Sequence, residues 1–197
     1  IEVVPVDYEP RVFYNPELRT TQFLVPGLVG FILMLTAVVS TALSVVREKE
    51  RGTMEQLRVT SLTPAELLIG KTLPPLLIGH AHATLYVLVA VFLFQVPFRG
   101  SLLLLYASLF VYLCAVIGVG LFLSALAQTQ QQAILGAFLF MAPAVILSGF
   151  ATPIENMPEW LQTLTYGNPL RHFLVIVRGS FLKGLPAEEV FDRLVPM

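Results

Sequence analysis

The chain is short of charge. Of its 197 residues only 13% are Asp, Glu, Lys or Arg, against 56% apolar. Soluble domains carry roughly 25% charged and 45–50% apolar residues. A globule of this composition lacks the polar surface to face water, so the solvent it fits is a bilayer. Cysteine is almost absent. The single Cys114 excludes an intrachain disulfide and a cysteine-based metal cluster, and its place in an apolar run predicts a small buried hydrophobe. No excess of either sign exists: the net charge is -1, which excludes a global attraction to nucleic acid. No Gly-x4-Gly-Lys-Ser/Thr loop is present, so ATP would have to bind another chain or domain. No signal-peptide pattern opens the chain at Ile1. Residues 1–22 are expected to be the tail of a preceding domain.

What is abundant is long apolar sequence. Four stretches suit the roughly 20 residues that a helix needs to cross the hydrocarbon core: Phe23–Val46, Leu73–Val96, Leu102–Ala127 and Ala133–Phe150. None contains Asp, Glu, Lys or Arg, as the cost of a charge in lipid requires. These runs predict an all-α integral membrane fold with four transmembrane helices. Pro26 is expected in the opening turn of the first span, and Pro74 with Pro75 at the start of the second. Pro143 should kink the fourth or free a carbonyl.

The charge that exists is gathered. Arg47, Glu48, Lys49, Glu50, Arg51, Glu55, Arg58, Glu66 and Lys71 lie between the first two spans. Thr53 stands three residues before Gln56, and Thr63 three before Glu66 with Pro64 between. Both are capping-box patterns, which satisfy the free amides of a new helix. They predict a short helix over 54–59 and a second start leading into span two. A solvated linker needs neither device. A stiff, charge-patterned element at the membrane face suits docking to a soluble partner. A count of basic residues does not orient the chain; their density in this loop points to the cytoplasmic side.

Beyond the fourth span, Asn168-Pro169 reads as a helix start, with Asn168 as cap. Leu170, Phe173, Leu174, Val177 and Phe181 then recur at helical spacing, Arg171 and Arg178 share another face, and Gly184 is a stop. An earlier helix is expected from about Pro158. This region is too short to span and is expected to lie at or dip into the interface, with Trp160 and Tyr166 at headgroup depth.

Candidate polar constellations are few. Thr36, Ser40 and Ser44 recur every four residues in span one; the stripe either lines a polar translocation path or packs a neighbouring helix. Gly120 and Ser124 form a small-xxx-small pair for close helix approach. His80 and His82 point to different faces of one helix, and His172 stands apart, so no metal pair is predicted. Catalysis by these histidines would lack a carboxylate partner within the spans. A membrane enzyme built on them and a non-transporting scaffold are the rival readings.

Residues Val46-Arg47-Glu48-Lys49-Glu50-Arg51-Gly52-Thr53-Met54-Glu55-Gln56-Leu57, followed by Leu62-Thr63-Pro64-Ala65-Glu66-Leu67-Leu68-Ile69-Gly70-Lys71, resemble the hallmark region of type-2 ABC exporter permeases. Tyr14-Asn15-Pro16-Glu17-Leu18 and Phe23-Leu24-Val25-Pro26-Gly27 are similar to the junction between their extracytoplasmic domain and second span. Leu147-Ser148-Gly149-Phe150, Pro153-Ile154, Met157-Pro158 and Asn168-Pro169-Leu170-Arg171 are similar to their outer re-entrant region. The nearest subgroup is the bacterial multidrug-type permeases.

The resemblance implies that residues 48–60 form a coupling helix gripped by an ABC ATPase subunit, with Glu48, Glu50, Arg51, Gly52, Thr53 and Glu55 matching the pattern there. It implies that the loop is cytoplasmic, in the inner membrane of the cell. It implies two permease copies, as homo- or heterodimer, with ATP on the partner ATPase and no cofactor bound by this chain. Gly149, Pro153, Asn168, Pro169 and Arg171 would belong to an outer gate spanning residues 151–184 and its approaches. Membrane-fusion and outer-membrane partners fit export across an envelope, with amphipathic drugs or lipids as cargo. The family also has a first span and periplasmic domain before this region and a last span after it. The chain is therefore expected to be a piece, with residues 185–197 leading toward that last span.

Overall fold

The computed structural model describes residues 20–53, 61 and 63–197, and side chains from residue 24 onward. Among the described residues every regular element is helical. The first helix, α1, runs Thr20–Glu50; α2 runs Pro64–Leu88 and continues as a π-turn through Val89–Leu93. Then come α3 (Leu102–Leu126), α4 (Gln130–Ile146), α5 (Glu159–Leu164), α6 (Pro169–Leu182) and α7 (Ala187–Leu194). Three helices are long and apolar enough to cross a membrane: α1 from Leu24, α2 with its π-turn, and α3. The shorter apolar α4 has 17 residues.

Where the bounds depart from the sequence reading, the caps explain it. At Thr63 the capping box forms as expected: the Thr63 amide donates to Glu66 Oε2 at 2.7 Å, and the Glu66 amide to Thr63 Oγ1 at 3.3 Å. That box starts α2 at Pro64 and carries the helix straight into the apolar run, so Pro74 and Pro75 lie inside it rather than opening it. They free the carbonyls of Gly70 and Lys71, and Gly70 is exposed rather than buried. Pro26 likewise falls inside α1, because the helix begins at Thr20. The fourth helix starts earlier than the apolar run: Thr129 Oγ1 accepts the Gln132 amide at 3.2 Å, which caps α4 at Gln130. It ends at Ile146, four residues short of the expected Phe150, past Pro143 and into a turn where Gly149 has φ +78°. Cys114 is exposed, not buried. In a bilayer an apolar residue on the outside of a bundle faces lipid, so an apolar run does not by itself mean burial. The expected short helix over 54–59 lies outside the described residues.

The centre of the bundle is α1, which packs against α2, α3, α4 and α6. Its tightest neighbour is α3. A Cβ on Gly120 would stand 2.9 Å from Val38 O and from Thr41 Cβ, so the missing side chain is what lets the two backbones meet. Helix α6 packs into the bundle. Leu170, Phe173, Leu174, Val177 and Phe181 are all at most 1% exposed, wedged against α1 and α3. Tyr112 of α3 ties the three together: its ring stacks on Phe173 with centroids 4.2 Å apart, and its hydroxyl donates to Gly30 O of α1 at 2.9 Å.

Both ends of α6 are bolted. At its start, the Asn168 side chain accepts from the Leu170 amide at 3.1 Å and donates to Ala144 O of α4 at 2.6 Å. At its far end, the amides of Arg99 and Gly100, in the turn between α2 and α3, donate to Ser180 O at 3.2 and 2.7 Å. Gly184 ends the helix with φ +69°, the left-handed conformation that glycine adopts without penalty.

Candidate functional site

The charged residues at the end of α1 reach three other helices. Lys49 Nζ donates to Ser124 O, Ala125 O and Ala127 O at 2.6, 3.0 and 3.1 Å. These are carbonyls of the last turn of α3, which have no helical partner of their own, and a cation there also suits the negative end of the helix dipole. Glu50 does the reverse for α4. Its Oε1 accepts the Gln130 amide at 2.7 Å and its Oε2 the Gln130 side-chain amide, which places an anion at the positive end of α4. Arg47 Nε donates to Gln130 Oε1 at 3.1 Å. Glu48 pairs with Lys71 of α2.

Four consecutive residues, Arg47 to Glu50, thus clasp α2, α3 and α4 at the end of the bundle where α1 stops. Thr53 Oγ1 folds back on Glu48 O at 3.3 Å, and Gly52 takes φ +71°, a turn out of α1 that a side chain would strain. Arg51 and Gly52 are exposed. The expected coupling residues Glu48, Glu50, Arg51, Gly52 and Thr53 are therefore brought together, with Glu48 and Glu50 engaged inside the chain and Arg51 turned outward. Glu55 lies outside the described residues. Sequence reasoning missed Lys49 and Gln130 as members of this elbow. The signal for them was present only as a cation at the end of one helix and an amide at the start of another.

Above the elbow, a groove of about 580 Å³ runs between α1, α2 and α4. Thr36, Ser40 and Ser44 all line it, with Leu35, Leu43, Ile134 and Phe138 as apolar walls and Arg47 at its inner end. The three hydroxyls donate to carbonyls of their own helix, Thr36 to Ile32 O at 3.0 Å, Ser40 to Ala37 O at 3.2 Å and Ser44 to Thr41 O at 3.1 Å. His82 of α2 lines the same groove, its ring stacked on Tyr86 and its buried Nδ1 without a hydrogen-bond partner among the described residues.

The other histidines are elsewhere. His80 Nδ1 bonds Leu76 O at 2.8 Å beside the rings of Tyr106 and Phe110, and His172 Nε2 bonds Tyr166 O at 2.8 Å. Three separate backbone and aromatic settings give no shared reacting centre.

At the other end of α1 from the elbow, beside Gly27, Gly149 O accepts from Arg178 at 3.4 Å. Pro153 leads into a single 3-10 turn, and Asn168 and Pro169 open α6. Arg171 packs over the Tyr166 ring at 4.2 Å and donates to Thr165 Oγ1. Asn168, Pro169 and Arg171 thus fall at the start of α6 and Gly149 against Arg178 nearer its end, while Trp160 and Tyr166 are 70% and 55% exposed.

Comparison with known proteins gives the family. The family model described as ABC-2 type transporter matches residues 11–182. The chain is 43% identical over 187 residues to a probable multidrug ABC transporter permease, YbhR, of Escherichia coli K12, covering 95% of this chain and 51% of that protein. It is 30% identical over 194 residues to the inner membrane transport permease YhhJ of the same organism, covering 98% and 52%. With ABC transporter G family member 20 of Dictyostelium discoideum it shares 27% over 176 residues, 89% of this chain and 24% of that one. The chain thus spans about half the length of the bacterial relatives it matches. No solved structure matches it. A multi-helix apolar bundle with an ionic elbow, matched over most of its length by one family model, belongs to the ABC-2 type transporter family.

Proposed function

We propose that this chain forms part of the membrane permease of an ATP-driven exporter that moves amphipathic compounds outward across the cytoplasmic membrane. The observation that carries the mechanism is the elbow. One short stretch, Arg47 to Glu50, holds α2, α3 and α4 at once. A force applied to the loop that follows is therefore delivered to the whole bundle rather than to one helix.

In this mechanism a separate ATPase subunit binds ATP and grips the segment from Glu48 to Thr60, with Arg51 and Glu55 presented to it. Closure of two ATPases around ATP moves two permease copies against each other. The difference in how tightly the ATPase states hold the loop supplies the work. Cargo enters the groove lined by Thr36, Ser40 and Ser44, and leaves past the outer helices around Asn168 and Arg171. The names of the relatives, a probable multidrug permease and an inner membrane transport permease, support export and an inner-membrane location. Membrane-fusion and outer-membrane partners would complete the route.

Glu55→Lys in the full-length permease, co-assembled with its ATPase in proteoliposomes, tests the docking role. The expected result is ATP hydrolysis retained with export lost. Export at the wild-type rate would rule out docking through this residue.

A further inference from the structure

The groove beside α1 has a polarity and a depth of its own. From Leu35 to Arg47 it follows twelve residues of helix, roughly 18 Å at 1.5 Å per residue. The hydrocarbon core is about 30 Å thick, so the groove is about one leaflet deep. It starts near mid-membrane and ends at the elbow. Its walls are apolar over most of that length, through Leu35, Val39, Leu43, Ile78, Ile134 and Phe138.

Its only charged lining residue among the described ones is Arg47; no Asp or Glu contributes to it. Arg47 is exposed, and its hydrogen bond to Gln130 uses Nε, which leaves the outer guanidinium nitrogens able to take a bidentate anion. Glu50, one turn on, does not line the groove, and its carboxylate is held on the amides of Gln130.

We infer that the groove takes an anionic amphiphile from the inner leaflet, its chain along the apolar wall and its phosphate or carboxylate on Arg47; this rests on the inward orientation of the elbow proposed above. An apolar slot one leaflet deep, open to the side and closed at the headgroup level by a lone guanidinium, matches a phospholipid with a net negative head. A zwitterionic lipid would bring its own cation to the same mouth. The volume lies in the range of sites that hold small ligands, about 300–1,000 Å³.

The test uses the full-length permease with its ATPase in phosphatidylcholine nanodiscs. These carry a trace of phosphatidylglycerol with a photoactivatable group on its acyl chain, or the matched phosphatidylcholine probe. The expected result is labelling of peptides holding Leu35–Ser44 and Ile134–Phe138 by the anionic probe in clear preference to the zwitterionic one. Arg47→Gln should lower it about tenfold, as the loss of one charge-assisted contact would, and Arg47→Lys should restore most of it. Equal labelling by the two probes, undiminished labelling in Arg47→Gln, or no labelling because a second copy or another span fills the groove would each overturn the inference.

Ser40→Trp separates this from the export reading. It should block labelling by both probes. If it also leaves export untouched, the groove is outside the export path while the lipid site stands. If export stops in Ser40→Trp but labelling ignores charge, the export path stands and the anionic occupant does not.

Discussion

At the scale of single residues, the charges of the elbow are spent on helix ends. Lys49 is half-buried and supplies all three of its ammonium donors to the last turn of α3. Lys49→Met keeps the length and apolar stem but leaves three carbonyls without that donor. We expect a loss of about 1–3 kcal/mol, the range for hydrogen bonds to a charged group, read as a lower melting temperature of the purified full-length protein in detergent. Lys49→Arg should recover part of it, because the charge remains while the compact ammonium geometry does not. Tyr112 offers a second case with no charge involved. Tyr112→Phe retains the stack on Phe173 and removes only the donation to Gly30 O at the junction of α1, α3 and α6. The expected cost is about 1 kcal/mol. A loss several times larger would mean that the hydroxyl, and not the ring, sets the position of α6.

At the scale of elements, two glycines two positions apart on α3 separate packing from propensity. Gly120 faces α1, where a Cβ would meet backbone and side chain at 2.9 Å; Gly118 has nothing within 4 Å. Gly120→Ala is expected to push the helices apart and cost about 1–3 kcal/mol. Gly118→Ala should be neutral or slightly stabilising, since Ala favours helix by roughly 1 kcal/mol over Gly. Thermal unfolding of the two variants side by side checks the contrast, and equal effects would refute the close-approach role of Gly120. The small-xxx-small spacing made this contact legible before any fold was known, as the Thr63-to-Glu66 and Asn168-Pro169 signatures did for the starts of α2 and α6. Such signals are local: a cap and its amide lie within three residues. The prolines of α2 were misjudged because a helix start ten residues upstream outweighs them. The partners of Lys49, Glu50 and Tyr112 were illegible for a different reason. They lie 75 to 82 residues away, where no periodicity carries information. The sequence reading ended the first span at Val46, whereas α1 runs on to Glu50 and takes Glu48 and Glu50 into its last turn; which helix each holds depends on how four helices pack.

At the scale of the whole molecule, those long-range contacts decide how an inward push would spread. Glu50 is the tie between the end of α1 and the start of α4, and α4 connects through Ala144 and Asn168 to the start of α6. A displacement at the loop therefore has a continuous route of hydrogen-bonded helix ends to the outer mouth. Glu50→Gln preserves an oxygen that can accept the Gln130 amide while removing the charge. Glu50→Lys places a cation against the positive end of α4, where it is repelled. With the full-length permease and its ATPase in proteoliposomes, we expect Glu50→Gln to retain most coupled export. Glu50→Lys should continue to hydrolyse ATP yet export little, because the ATPase still closes on the loop while α4 no longer follows it. A spin-label pair spanning the end of α1 and the start of α4 adds a readout that mere loss of activity cannot mimic. The distance should broaden in Glu50→Lys and stay narrow in Glu50→Gln. If the pair stays narrow in both and export persists in both, force reaches α4 by another route, and the tie at Glu50 only stabilises the fold.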